Sequence, residues 1–239
     1  MSVDAGSVRL PSDRYFHAGM ALVMLLTVFV GFAPTFYLRP AFGGPPATPL
    51  VHLHGILFSA WMLLFLTQTL LIAHGNKALH RRLGIVGAML ALALLVVGVM
   101  TAVTAARIGH APPGVDAVRF LAIPLTTILV FAATVGTAIH LRRRSDFHKR
   151  LMLVATIGIL TPAIARMLLH SGFGAAAPPL GLLLTDLFFV PCLIVDKLRY
   201  GRIHPAFLWG IGLLMLSQIG RLLVMRTDAW LSIATWLIR

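Results

Sequence analysis

Histidine is the residue in this chain that can do chemistry and sits where it is least expected. Ten His occur in a sequence dominated by long apolar runs, and most of them lie within about a turn of a run's end. Four fall in three segments, HLHG (His52, His54), ALHRRLG (His80) and DFHKRLM (His148). Neutral imidazole binds transition metals and serves as an axial ligand of haem iron. Polar side chains at membrane depth are costly to keep and usually have a function. Each of His80 and His148 is followed at once by two cations, Arg81 and Arg82 or Lys149 and Arg150, which could hold haem propionates by charge-assisted bonds.

These residues need elements to position them, and composition states which kind. Hydrophobic residues make up 59% of 239 and charged residues 11%, with a mean hydropathy of +0.92. A helix needs about 20 apolar residues to cross the hydrocarbon. Seven runs meet that length, near 15–38, 50–73, 83–106, 118–141, 150–170, 178–198 and 205–225. The runs are continuous rather than alternating, which excludes a β-barrel. The expectation is one all-α domain over 1–239, an integral membrane bundle of seven transmembrane helices, followed by a short interfacial tail helix carrying Trp230 and Trp236. Pro124, Pro162 and Pro191 lie inside spans and should kink them.

The charge fits a membrane better than nucleic acid. There are 20 Lys+Arg and 7 acidic residues, all of them Asp, for a net charge of +13. Arg9 and Arg14 precede span one, and Lys77, Arg81 and Arg82 fill the second loop. Arg142, Arg143, Arg144, Lys149 and Arg150 cluster at the fourth, and Lys197, Arg199 and Arg202 at the sixth. These segments share one side, which the positive-inside rule makes cytoplasmic. The expected topology is N-terminus in and C-terminus out, in a bacterial inner membrane, with the basic belt against anionic headgroups. Nucleic acid is not an expected partner. A single cysteine, Cys192, excludes an internal disulfide and disfavours thiolate metal cages.

Alternating direction sorts the polar residues into two layers. The inner layer holds His80, His148, His204, Asp196, Arg81, Lys149 and Arg150, with His74 and His140 nearby; the outer holds His52, His54, Arg166, His170, Asp186, Gln218 and Arg221. Eighteen residues, about five turns, separate His148 from Arg166 on one face, and His170 lies a turn further. His54, Trp61 and Gln68 recur every seven residues as a stripe on span two. His80 and His148 open two parallel helices at one depth, so they are the first candidate ligand pair for haem or a metal. His54 is a second, with His170 at a matching depth. Asp146 is placed to cap span five. Arg166 and Asp186 are expected to pair.

At HLHG, LHRRLG and DFHKRLM the chain resembles transmembrane b-type cytochromes of the ascorbate and ferric reductase type. It also resembles a set of bacterial seven-span proteins sharing these signatures together with Trp61, Gln68, Arg166, Asp186 and His204-Pro205. The cytochrome resemblance covers the four spans from His54 to His170. It implies a four-helix core holding haem b near each surface, with His80 and His148 as the inner pair. Span four carries no His at its outer end, so the outer site is left open between His54 and His170.

Three functions follow. In the first, haem carries electrons, in exchange with a quinone or a metal. In the second, a non-haem metal held by His54, His80 or His148 does intramembrane chemistry, although the chain has no Glu and no HExxH. In the third, a cofactor-free transporter or sensor binds a small molecule through Arg166, Asp186, Gln218 and Arg221; its small size favours a homodimer.

Overall fold

The reason each run becomes a helix is the absence of water: backbone N–H and C=O groups inside a membrane must bond within the segment. A computed structural model describes residues 13–43, 46–112 and 114–239; Arg9, Pro113 and the Arg14 side chain lie outside it. Seven helices are long and apolar enough to cross a membrane: α1 (Tyr15–Tyr37), α2 (Pro49–Ala73), α3 (Lys77–Arg107), α4 (Ala117–His140), α5 (Ser145–His170), α6 (Gly174–Tyr200) and α7 (Pro205–Val224). The tail helix α8 covers Asp228–Leu237. The chain is thus an all-α, multi-pass membrane protein in contact with the lipid bilayer.

Two boundaries differ from expectation for one reason. Helix α3 begins at Lys77 and α5 at Ser145, so Lys77, Arg81, Arg82, Lys149 and Arg150, expected in loops, lie in the first turns of helices, while Arg142, Arg143 and Arg144 stay in the connection. Long cationic side chains reach outward while their backbone stays helical. Gly75 turns the chain at φ +79° and Asn76 caps α3, its Oδ1 accepting from Leu79 N at 3.1 Å. Asp146 does not cap α5; its carboxylate turns aside to His204 on α7.

The prolines interrupt their helices where the ring meets the carbonyl one turn earlier. Helix α4 breaks at Leu121 before Pro124, α5 at Ile159–Leu160 before Pro162, and α6 at Phe188 before Pro191. Helix α1 ends in one wide turn, Ala33–Tyr37, closed by Leu38 N to Ala33 O at 2.7 Å.

Helix α5 is the axis of the bundle. Its apolar window is 56% buried, against 17–33% in the other six, and it packs on α1, α4, α6 and α7. One core draws side chains from all seven spans, including Met24, Trp61, Leu94, Phe131, Leu153, Cys192 and Phe207. Cys192 is 1% exposed, its Sγ facing Phe188 O at 3.4 Å. Helix α8 folds back on the α3–α4 end: Arg107 Nε donates to Ile238 O at 2.9 Å and Trp230 Nε1 to Arg119 O at 3.0 Å.

Helix α1 meets α5 backbone to backbone at Gly31, where an added Cβ would come 2.3 Å from Ala163 O. Close approach through a small residue is the usual way membrane helices associate. Gly31→Ala should separate the two helices and destabilise the protein by about 1–3 kcal/mol as an overpacking change. Thermal unfolding in detergent reads it, with Gly19→Ala, which meets open space, as a neutral reference. Equal melting temperatures in the two variants would remove the claim of a tight α1–α5 contact.

Candidate functional site

At the end of the bundle where α3 and α5 begin, two imidazoles face each other. The His80 and His148 ring centroids are 6.4 Å apart and the rings are nearly perpendicular, at 80°. Two spans that start from the same side carry them, and both side chains are half-buried. His148 is held from α4: its Nδ1 lies 2.8 Å from the carbonyl of Ala138. A carbonyl only accepts, so Nδ1 carries the proton and Nε2 keeps the lone pair. This is the arrangement that orients a metal-binding His. His80 is held from α2, where Gln68 Nε2 donates to His80 O at 3.2 Å. His80 Nδ1 and Gln68 Oε1 are both buried without a partner.

The spacing fits a shared ligand. Two imidazoles on opposite sides of one ion, at about 2.0 Å from each nitrogen and roughly 1.1 Å more to each ring centre, have centroids about 6.2 Å apart. Among the described residues no three His, Cys or Asp side chains converge on one point. A zinc site supplies three or four protein ligands, whereas haem iron asks only for two axial ones. The donor set therefore suits haem.

The cations beside the pair divide. Arg81 and Arg82 are exposed. Arg150, expected to serve a cofactor, is instead committed to structure. It is 3% exposed, its Nε donates to Asp196 Oδ1 at 3.0 Å, its Nη2 contacts the same oxygen, and its Nη1 donates to Asp146 O at 2.9 Å. Asp196 Oδ2 accepts His204 N at 2.7 Å, and His204 Nε2 meets Asp146 Oδ2 at 3.0 Å. His204 Nδ1 then accepts Ala206 N at 3.1 Å and caps α7. The result is a clasp joining α5, α6 and α7. A buried charge needs such pairing, and the pair uses up the cation.

Midway, the stripe on α2 faces inward as its spacing requires. Trp61 is 3% exposed, packs edge-on against Phe131 at 5.0 Å and donates to Thr156 Oγ1 at 3.4 Å.

The other end holds two separate polar corners. Asp186 does not pair with Arg166. It accepts from Gln218 Nε2 at 2.9 Å, while Arg221 Nη1 reaches Thr127 Oγ1 at 2.5 Å. Gln218 and Arg221 are buried, and with Thr127, Thr134 and Ser217 they line a cavity of about 20 Å³, room for one water. Arg166 lies instead over the ring of Phe32, 4.5 Å from its centroid. The His54 ring lies against Phe58 at 4.5 Å between centroids, tilted by 33°. His170 is exposed, with Nδ1 on Arg166 O at 2.7 Å. His54 and His170 form no ring pair, so the structure brings together the inner histidines and not the outer ones.

Two contributors were not visible as site residues in the sequence: Thr127 and the Ala138 carbonyl. Hydroxyls are common along these helices and a carbonyl has no sequence signature; only the fold selects them.

Fold and site together define a multi-pass helical membrane protein with a two-histidine locus near one end. No family model, curated protein or solved structure matches the chain.

Proposed function

We propose that this is a membrane electron-transfer protein of b-type cytochrome character that binds one haem b between His80 and His148. The supporting observation is the 6.4 Å separation of two imidazoles on parallel spans, one of them locked by a backbone carbonyl with its Nε2 lone pair free. Haem would supply a reversible one-electron couple there. The chain's own contributions would be the imidazoles of His80 and His148 to hold the group, the orientation of His148 by Ala138 and of His80 by Gln68, and the exposed Arg81 and Arg82 for its propionates. The HLHG, LHRRLG and DFHKRLM segments support the same character. In this proposal the basic ends face the cytoplasm of a bacterium and the haem lies near the inner surface of the plasma membrane.

The test is an absorption spectrum of full-length protein purified after haem-supplemented expression. A Soret band that shifts and sharpens on dithionite reduction, with about one haem per chain by extraction, is the expected result. A featureless visible spectrum overturns the proposal.

A further inference from the structure

We propose that Thr35, His54 and Arg166 form a binding site for the ring carbonyl of a membrane-dissolved quinone. The inference rests on the redox function proposed above for its biological meaning, while its geometry is independent of haem.

Helix α1 packs on both α2 and α5, and at the end opposite His80 its Thr35 lies between Phe32, whose ring meets Arg166, and Phe36, whose ring meets Gly55 beside His54. Thr35 Oγ1 and His54 Nδ1 are buried without a hydrogen-bond partner among the described residues. Among the described residues Arg166 donates within its own helix, to Pro162 O at 3.3 Å. Buried polar groups are nearly always paired, by protein, water or ligand. The neighbouring polar groups show what satisfaction looks like: Tyr37 Oη and Ser59 Oγ bond each other at 2.6 Å. The first three groups, a hydroxyl, an imidazole and a guanidinium, have unused hydrogen-bonding capacity in one corner. Their common complement is an oxygen that accepts.

The walls specify the rest of the ligand. Phe32 lies under Arg166, Phe58 under His54, and the ring of Phe36 against Gly55, where a Cβ would come 2.3 Å from that ring. Aromatic faces suit a flat ring. Leu53 and Ile56, beside His54 on α2, are exposed and apolar, so the approach is from lipid. A flat, lipid-soluble molecule with carbonyl oxygens is a quinone. A long-chain carboxylate presents the same acceptor atoms without the ring, and the experiment separates the two.

Full-length protein in detergent is titrated calorimetrically with a decyl-substituted benzoquinone and, separately, with oleate. Wild type is expected to bind the quinone saturably. Arg166→Gln should weaken it at least about tenfold, and His54→Phe and Thr35→Val about threefold each, the loss of one charged or one neutral hydrogen bond respectively. Thr35→Val is nearly isosteric, so it reports even where a larger change unfolds the protein. His80→Ala should bind quinone as wild type does. Absence of saturable quinone binding to wild type overturns the inference and leaves the corner to water. Wild-type affinity in Arg166→Gln and His54→Phe overturns it too, as does residue-dependent binding of oleate alone. Quinone binding by protein that takes up no haem would retire the haem proposal and keep this one.

Discussion

With haem bound as proposed, His148→Ala and His80→Ala should each abolish its spectrum in otherwise folded protein. The proposed site offers haem iron only two ligands, so either deletion removes half of the coordination the chain could give. Even disturbing a group that merely orients a ligand typically weakens metal binding about 10–100-fold, so losing a ligand should cost at least about 100-fold. Gln68→Leu supplies the graded control. It removes the donor to His80 O and should weaken haem binding about tenfold while leaving both imidazoles in place. His140→Ala and His74→Ala change histidines in the same layer that do not face the pair, and should keep full haem content. Haem per chain by extraction, read beside a monodisperse gel-filtration peak, is the measurement. Wild-type spectra in both His80→Ala and His148→Ala would end the proposed assignment of the ligands.

The second large effect concerns stability. Asp196→Leu should destabilise the protein by about 3–5 kcal/mol, because it strands the Arg150 charge in the interior. It also removes the acceptor of His204 N, which anchors the start of α7. Arg150→Met should cost less, since Asp196 keeps that second partner. The double variant Arg150→Met/Asp196→Leu should be more stable than Asp196→Leu alone: exchanging a buried pair for apolar side chains of similar volume is often neutral or favourable. Thermal unfolding followed by tryptophan fluorescence ranks the three. A double variant at the sum of the two single losses would mean the charges are not coupled.

What could be read in the sequence follows from which interactions are local. Hydropathy fixes the seven spans because lipid leaves the backbone no alternative to helix. The proline breaks were legible for the same reason: the clash lies within one turn of Pro124, Pro162 and Pro191. His80 and His148 could be matched because depth in a membrane is nearly a one-dimensional coordinate, and two like helices opening from one side place their first turns level. Partner choice across helices was not legible. Arg166 and Asp186 share a depth, but the breaks before Pro162 and Pro191 reset the helical phase between each residue and its helix's other half. Asp186 therefore turns to Gln218 and Arg166 to Phe32. Arg150 follows a ligand candidate in sequence, while its partner in space is Asp196, contributed by another helix, a pairing that no local pattern announces.

The enclosed thiol of Cys192 makes the natural chain a ready background for site-directed labelling. A water-borne maleimide should leave the unaltered protein unmodified. Single cysteines placed at Asp116, between α3 and α4, and at Arg143, between α4 and α5, would then take up reagent from opposite faces of sealed vesicles. Which of the two reacts from outside intact cells decides on which surface of the membrane the arginine-rich ends reside.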